Sequence, residues 1–436
     1  MADKAQRKAI RFLKSYQMDP LDVSFDENID TFLSQMQRGL AGQKSSLEMI
    51  PTYLSAGHEV LSHKRVIVAD AGGTNFRVAT VYFDDQKKAV IENLRLFKMP
   101  GIERELNKAD FFGAMAEYFR QVAEVANEIG FCFSYPVDML PSKDGRMIRF
   151  SKEIKTRGVE GCLVGAALNQ AMSALGLSAD KHIVLLNDTV ATLLAGCGYK
   201  NRIFSSLIGF ILGTGTNCCY IESNAAIKKK KDLDAAQCQI VNTESGGMGQ
   251  GYRGKLDVSF DKTTANPGAN KFEKMISGAY LGPLFLHVVR KACADGLFSK
   301  AAAAELGKTP GLDTKEMNAF MLYPYGEASL ATACKQGSPD DTQTLYALAD
   351  RLTERAAKLT AINLSAMAIK SGQGTDPTRP IGIVAEGTTF YQMRTLKPRV
   401  EFYLKQYLEN KKGIHTEIIS VENATLIGAA IAGLTN

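Results

Sequence analysis

The first half of the chain alternates short apolar runs with amphipathic segments, which predicts an α/β layer preceded by a helical arm. Residues 27–40 carry apolar side chains at helical spacing, and Asp26 or Asn28 is the expected cap of that helix. The predicted elements that follow are strands at 65–69, 76–83, 89–98, 131–134 and 182–187 and helices at 109–129, 160–175 and 189–197.

The second half repeats this order with longer helices. Its predicted elements are strands at 205–212, 218–222, 381–385 and 415–420 and helices at 271–294, 341–371, 393–410 and 424–434. Each half opens with two strands joined by a glycine turn, and the two turns are about 140 residues apart, the spacing of a weak internal repeat. The pattern therefore predicts a duplicated fold with two α/β domains around a cleft.

The two glycine turns are candidate phosphate loops. Residues 70–74 read Asp-Ala-Gly-Gly-Thr, and residues 213–217 read Gly-Thr-Gly-Thr-Asn. A strand follows each turn, whereas the dinucleotide fingerprint and the P-loop both require a helix there, so neither applies. Glycines let the backbone approach a phosphate and leave N–H groups to donate. The alternative for either turn is an ordinary hairpin.

Two charged residues accompany the first turn. Asp70 is expected to hold a magnesium ion through water, because Mg²⁺ keeps most of its hydration shell. Arg77 is expected to orient the Asp70 turn through an internal salt bridge, the alternative being direct contact with substrate.

A third feature lies between these turns, at Asn187 and Asp188. The apolar strand before them ends on this polar pair, and a helix of small residues follows. A carboxylate at a strand end, at the mouth of an α/β cleft, is a common position for catalysis. An acid flanked by two phosphate turns indicates an ATP-dependent kinase that acts on a hydroxyl group.

Several polar residues near predicted strand ends suit a sugar with many hydroxyl groups. Ser134, Ser151 and Lys152 offer donors and acceptors, although surface turns would have the same composition. Glu244 and Glu273 each lie near glycines, and a carboxylate accepts two hydrogen bonds, which suits a vicinal diol. Glu273 near a helix start also fits a surface acid favoured by the helix dipole.

Composition excludes several classes of protein. The 436 residues exceed one ordinary core, and the net charge of +6 is spread too thinly to indicate nucleic-acid binding. Eight cysteines lack any Cys-x-x-Cys pair and five histidines are scattered, which predicts reduced thiols in the cytoplasm and no zinc site. The start of the chain lacks the apolar core of a secretory signal, and the longest apolar run, 424–434, is too short to span a membrane.

Taken together, these motifs resemble the eukaryotic-type hexokinase and glucokinase family. The resemblance runs from about Gln37 to the C-terminus. The segments that carry it are Met36-Gln37-Arg38-Gly39-Leu40, Leu47-Glu48-Met49-Ile50-Pro51-Thr52-Tyr53, the Asp70 turn, Phe133-Ser134-Tyr135-Pro136, Gly158-Val159-Glu160-Gly161, Asn187-Asp188-Thr189-Val190, the Gly213 turn, Asn242-Thr243-Glu244, residues 272–278, Tyr280-Leu281-Gly282 and Gly428-Ala429-Ala430.

The resemblance implies an actin-like ATPase (ribonuclease H-like) fold whose two domains close over a hexose. It implies a small domain of residues 62–188 plus 423–436 and a large domain of 1–61 plus 189–422. It also implies ATP with Mg²⁺ as donor, the sugar 6-hydroxyl as acceptor and a monomer or homodimer that binds no nucleic acid or membrane.

The resemblance also assigns residue roles. Asp188 is the implied general base. The residues implied to hold the sugar are Ser134, Ser151, Lys152, Asn187, Asp188, Asn217, Glu244 and Glu273. The residues implied to bind phosphate, magnesium or nucleotide are Asp70, Gly72, Gly73, Thr74, Thr214, Gly387, Thr388 and Thr425.

The chain departs from the family pattern in places that matter for specificity. It contains no tryptophan, although the family usually has one beside the positions of Ser151 and Glu244. The usual Asp-Gly is Glu386-Gly387, and the late glycine-serine-glycine nucleotide turn is Ala424-Thr425-Leu426. Nucleotide preference and the sugar (glucose, another hexose or an amino sugar) stay open, and so do a silent sugar sensor and an actin-type ATPase or chaperone.

Overall fold

A computed structural model describes residues 2–57, 59–150, 154–199 and 202–436. These residues form short and long strands in two main sheets and two small ribbons. The strands are β1 Ile50–Pro51, β2 Val66–Gly72, β3 Asn75–Phe83, β4 Ala89–Lys98, β5 Leu106–Asn107, β6 Glu128–Phe133, β7 Val137–Met139, β8 Gly145–Met147, β9 Thr156–Arg157, β10 His182–Leu186, β11 Ser206–Leu212, β12 Thr216–Ser223, β13 Cys238–Asn242, β14 Ile381–Glu386 and β15 Thr416–Ile419.

Helices cover both sheets and fill the space between them. The helices are α1 Ala2–Ser15, α2 Phe25–Leu40, α3 Lys108–Tyr118, α4 Val164–Ala174, α5 Asp188–Cys197, α6 Lys255–Asp261, α7 Glu273–Ile276, α8 Leu281–Ala294, α9 Lys300–Gly307, α10 Thr314–Leu322, α11 Ser329–Lys335, α12 Pro339–Ser371, α13 Thr388–Gln392, α14 Leu396–Leu404, which continues as a π-helix over Lys405–Lys412, and α15 Ala424–Thr435.

The two main sheets share one topology. The first has the order β10-β6-β2-β3-β4, and the second has the order β1-β13-β12-β11-β14-β15. In each, an antiparallel hairpin (β2–β3 or β11–β12) continues into a parallel pair (β2–β6 or β11–β14). The predicted repeat of a strand-turn-strand unit is therefore confirmed. The residue bounds predicted for the two domains stay a prediction.

Three apolar clusters hold these layers together. One packs α3 and α4 on the first sheet, and another packs α8 and α12 on the second. The third lies between the sheets and draws on both of them and on α5 and α15, with Val68, Leu193, Val384 and Ala430 among its buried members. The two sheets are thus joined through two helices with small side chains.

Close backbone approach fixes the C-terminal helix α15. A Cβ atom at Gly428 would overlap the carbonyl oxygen of Ala191 in α5, and one at Gly130 in β6 would overlap the carbonyl oxygen of Ala429. Only glycine leaves room at both contacts. The start of α15 is therefore held at a defined position beside the β2–β3 hairpin.

Some predicted elements were wrong in extent. Helix 109–129 ends at Tyr118, because Phe119 and Val122 are buried in turns before β6 begins. Helix 271–294 is broken into α7 and α8, because the N–H groups of Gly278 and Ala279 donate to the carbonyls of Gly213 and Thr214 (2.8 and 3.0 Å) instead of continuing the helix.

Other local predictions also change. Helix α2 is capped by Ser24, whose hydroxyl accepts from Glu27 N, and not by Asp26 or Asn28. Within the run of lysines at 228–231, Lys229 is half-buried and donates to the carbonyl of Glu48 (2.6 Å). In the part of the chain that the structure describes, no helix is both long and apolar enough to cross a membrane.

Candidate active site

A cavity of about 400 Å³ opens between the two sheets, and both contribute to its wall. It gathers six of the residues predicted to hold the sugar, which lie at the ends of β6, β10 and β12, after β13 and at the start of α5 and α7. These residues are Ser134, Asn187, Asp188, Asn217, Glu244 and Glu273. Ser151 and Lys152 lie outside the described residues.

Asp188 is the first residue of α5, immediately after β10. Asn187 caps this helix by accepting the Thr189 N–H (2.9 Å), and the same N–H donates to Asp188 Oδ1 (2.7 Å). Burial raises the pKa of Asp188, and the nearby charge of Asp70 adds to the rise, while hydrogen bonds from Thr189 and Ser134 oppose it. The carboxylate is thus fixed in direction and more basic than a free aspartate.

Glu244 lies across the cavity on a backbone in the left-handed region (φ 54°). Its Oε1 accepts from the side-chain amides of Asn217 (3.0 Å) and Asn242 (2.7 Å). Burial raises the pKa of Glu244 to about 7, with the charges of Glu48 and then Asp188 adding to the rise. The amides hold one oxygen in place beside the cavity.

Glu273 begins α7 and is held from the second glycine turn. Its Oε2 accepts from the backbone N–H of Thr216 (3.0 Å), and its Oε1 from the side chain of Asn270 (3.3 Å). Burial raises the pKa of this carboxyl. Glu273 thus lines the cavity and ties α7 to the β11–β12 hairpin, and its role in binding stays a prediction.

Asp70 is buried at the end of the hairpin strand β2. Arg77 donates through Nε (3.0 Å) and Nη2 to Asp70 Oδ2, and Thr425 Oγ1 donates to the same oxygen (3.1 Å). The predicted internal salt bridge of Arg77 is confirmed. Thr425 lies against Asp70, and its predicted contact with a nucleotide stays a prediction.

The turn residues Gly72, Gly73 and Thr74 leave β2 beside this carboxylate. Gly73 has a positive φ of 33°, with open space where a Cβ would point, and Thr74 is exposed. Gly72 lies near the other oxygen of Asp70, since a Cβ there would be 3.9 Å from Oδ1. The turn thus presents backbone and hydroxyl groups beside Asp70.

A second cavity of about 400 Å³ lies on the far side of the β11–β12 turn. Thr214 and Thr388 line it, together with residues of the α7–α8 break and of α10. Gly387, with φ 113°, packs so closely on the Leu212 carbonyl that a Cβ would overlap it. Burial raises the pKa of the neighbouring Glu386, while a hydrogen bond from the Gly387 backbone and then the charge of Arg77 oppose that rise.

Sequence reasoning assigned no role to several polar residues of the first cavity, among them Glu48, Arg149 and Asn242. The sequence could have indicated Asn242 as a site residue, because it ends a strand two residues before Glu244. Glu48 belongs to the segment 47–53 that carries the family resemblance, but the pattern within that segment does not place it at the cavity, where it lies beside the pair of β1 with β13.

Comparisons with known proteins decide the family. Two models described as hexokinase match the chain, one over residues 11–198 and the other over 207–435. The chain belongs to the hexokinase family. The hexokinase-like 1 protein of Arabidopsis thaliana is 30% identical over 427 residues, which cover 92% of this chain and 86% of that protein. Hexokinase-1 of Schizosaccharomyces pombe is 26% identical, with 92% and 85% covered.

The fold is also that of hexokinases. The structure of hexokinase from Schistosoma mansoni complexed with glucose matches with a TM-score of 0.80 at 22% identity, covering 100% of both chains. The predicted two-domain, actin-like α/β architecture is confirmed, and the resemblance to hexokinases drawn from the motifs is confirmed with it. Membership in the hexokinase family marks the chain as a relative of sugar kinases.

Proposed function

We propose that this protein transfers a phosphoryl group from ATP to the 6-hydroxyl of a hexose, with Asp188 as general base. One observation carries the proposal: Asp188 lies in one cavity with Asn217, Glu244 and Glu273, so that a basic carboxylate faces a wall of polyol-binding groups. The glycine turn of Asp70 lies at the same edge of the first sheet as Asp188, because β2 and β10 both run parallel to β6 and therefore end at that edge.

Asp188 accepts a hydrogen bond from the sugar 6-hydroxyl and takes its proton as the new P–O bond forms. Its raised pKa suits this role, because a base works best when its pKa approaches the working pH. The Thr189 N–H donates to one of its oxygens, which restrains rotation of the carboxylate. General-base catalysis of this kind contributes roughly 10² to 10⁴-fold in rate.

The remaining sugar hydroxyls are held by the opposite wall. Glu244 and Glu273 accept hydrogen bonds, and the side chain of Asn217 couples β12 to Glu244. Ser134 and Asn187 from the first sheet, with Ser151 and Lys152, complete the proposed set. Ligands from both sheets favour closure of the cleft around the sugar, which keeps water, a competing nucleophile, away from the phosphate.

The Asp70 region fits magnesium bound through water. Arg77 and Thr425 engage Asp70 Oδ2, while Oδ1 faces Gly72 of the turn. Among the described residues, no group of three or more acidic, cysteine or histidine side chains is placed to bind a metal ion directly. A single carboxylate suits Mg²⁺, because that ion keeps most of its water ligands. When bound, magnesium neutralises phosphate charge.

The nucleotide is assigned to the groups on either side of the two turns. Gly72, Gly73 and Thr74 donate to phosphate oxygens from the first sheet, and Thr214 does so from the second. Gly387 and Thr388 border the cavity beyond, where the nucleoside is proposed to bind. The altered turn at Ala424-Thr425-Leu426 leaves the preference among nucleotides to be measured.

The eight cysteines are free, and four of them are buried, which supports a cytoplasmic enzyme in a reducing compartment.

The test of the proposal is a panel of hexoses with purified protein and ATP-magnesium, with ADP release as readout. Sugar-dependent ADP release with formation of the 6-phosphate supports the proposal. Binding of sugar without any ADP release would instead identify a sugar sensor.

A further inference from the structure

An asparagine of the long helix α12 bonds to the part of the second sheet that borders the sugar cavity. Asn363 is fully buried, and its Nδ2 donates to Cys218 Sγ (3.1 Å) and to Ser245 Oγ (3.3 Å). Cys218 follows Asn217 in β12, and Ser245 follows Glu244. The asparagine therefore bonds to the immediate neighbours of two residues assigned to the sugar.

Further hydrogen bonds connect these neighbours to the cavity wall. The backbone N–H groups of Cys218 and Ser245 both donate to Asn217 Oδ1 (2.7 and 3.3 Å). The amide nitrogen of the same Asn217 side chain donates to Glu244 Oε1 (3.0 Å). A continuous set of bonds thus runs from the core helix α12 to a carboxylate that lines the cavity.

Glu244 depends on such support because of its backbone conformation. Its φ of 54° lies in the left-handed region, which a residue with a Cβ atom adopts only where its surroundings hold it there. The short 3₁₀ turn that starts at Ser245 packs closely on β12, since a Cβ at Gly246 would lie 2.9 Å from the Thr216 carbonyl oxygen. The bond from Asn363 to Ser245 fixes the same turn to α12.

An asparagine is a costly choice at this position of the helix. Asparagine is a poor helix former, and a buried amide is unfavourable unless its polar atoms are bonded. Asn363 Oδ1 has no hydrogen-bond partner in the described part of the protein, and the residues one turn away on the same face, Leu359 and Ala366, are buried and apolar. Breaks of this kind in an apolar pattern are expected at functional sites, so the contacts of the amide nitrogen explain the residue better than fold stability does.

We infer that Asn363 is a positioning residue, which holds Asn217 and Glu244 in the geometry that binds the sugar. It acts through Ser245 and Cys218, since its own side chain does not line the cavity. The inference rests on the proposed function, which assigns the polar groups of this wall to the sugar. Loss of the amide is therefore expected to weaken sugar binding and to leave the rate of phosphoryl transfer from the bound state nearly unchanged.

The experiment measures KM for the sugar and kcat in wild type, Asn363→Ala, Ser245→Ala and the double variant, with the best hexose of the panel and saturating ATP-magnesium. Asn363→Ala should raise KM by about three- to tenfold, the equivalent of one hydrogen bond, with kcat within about twofold of wild type. Ser245→Ala should also raise KM. The double variant should resemble Asn363→Ala, because both substitutions break the same bond and coupled residues are not additive.

Thr353→Ala is the control for a general weakening of the helix. Thr353 is a buried residue of α12, ten positions before Asn363, and its hydroxyl contacts Met321 Sδ (3.5 Å). The variant removes a buried polar group and a contact with sulfur from the same helix but leaves the cavity wall intact. It should keep the wild-type KM for the sugar.

The outcomes separate the asparagine from the reaction. An unchanged KM in Asn363→Ala, a change confined to kcat, additive effects in the double variant or an equal rise of KM in Thr353→Ala overturns the inference while the kinase proposal stands. If wild type phosphorylates no sugar, the proposed function falls, and calorimetric titration of each variant with sugar measures the same differences as dissociation constants. A wild type that binds no sugar overturns both. If Asn363→Ala does not fold, Ser245→Ala decides, because an unchanged KM there refutes coupling through this bond.

Discussion

The hydroxyl of Thr425 lies 3.1 Å from Asp70 Oδ2, although 355 residues separate the two in sequence. Arg77 completes a triangle, because its Nη2 donates both to the same aspartate oxygen and to Thr425 Oγ1 (2.8 Å). The start of α15 thus helps to hold the carboxylate assigned to magnesium. This gives the altered turn at residues 424–426 a role even without the glycines of the family pattern.

Thr425→Val tests this role. Valine keeps the shape but loses the hydrogen bond, and a bond of roughly 1 kcal/mol corresponds to a three- to tenfold fall in kcat/KM for ATP. Sugar affinity, measured separately by calorimetry, should not change. Thr435→Val is the control, since the Thr435 hydroxyl, at the other end of the same helix, bonds the Ile431 carbonyl (2.7 Å) away from the site. Equal kinetics for ATP in both variants would contradict the triangle's role.

The packing of Gly428 allows a second prediction. Gly428→Ala places a methyl group against the Ala191 carbonyl, so α15 must shift, and we expect a loss of about 1 to 3 kcal/mol or more in unfolding free energy. Gly113→Ala is the matched control: it lies inside α3 with open space at its Cβ position and should stabilise by about 0.5 to 1 kcal/mol. Urea midpoints followed by circular dichroism measure both. Similar midpoints for the two variants would show that the contact of Gly428 with the Ala191 carbonyl tolerates a methyl group.

The buried Glu244 carboxylate is expected to lower the stability of the fold at neutral pH, although it supports sugar binding. Its pKa is raised from 4.5 to about 7, so the folded state holds a proton that the unfolded state has already lost between those values. Stability therefore falls as the pH rises from about 4.5 to about 7. Glu244→Gln removes this effect and should be more stable than wild type at pH 8 by up to about 3 kcal/mol, with most of the difference gone near pH 4.5.

The same variant should bind sugar more weakly by roughly 1 to 3 kcal/mol, because the amide replaces one acceptor oxygen of the carboxylate with an NH₂ donor. Urea denaturation across pH measures the first effect and calorimetry the second. Glu327→Gln, outside the cavity, should show neither. A Glu244→Gln protein with wild-type stability at pH 8 would mean that the carboxylate is well solvated.

Sequence reasoning succeeded where the signal was local. The strand-turn-strand units around Asp70 and Gly213, and the acid that follows β10, depend on glycines and on alternation within about ten residues, so their positions agree with the structure. The roles of the residues in them stay predictions. Local pattern also located α12 and α15 to within two residues at each end.

It failed where distant segments decide the structure. Helix α1 is a different kind of failure, because its buried residues Ala5, Ala9, Phe12 and Leu13 recur at helical spacing and this local signal was overlooked among the charges. The break after α7 depends on hydrogen bonds to the Gly213 turn. Glu48 lies at the cavity beside the β1–β13 pair, and no spacing within either segment reveals that pairing.

The most direct test of the central claim is turnover of Asp188→Asn with ATP-magnesium and the best sugar of the panel. Asparagine keeps the size and the bond to Thr189 but cannot take a proton, so the account predicts a fall in kcat of at least about 100-fold with sugar binding largely retained. Asp234→Asn, at an exposed turn where asparagine keeps the bond to Ala236 N, should match wild type. A folded Asp188→Asn protein with turnover near that of wild type would contradict the assignment of Asp188 as the base.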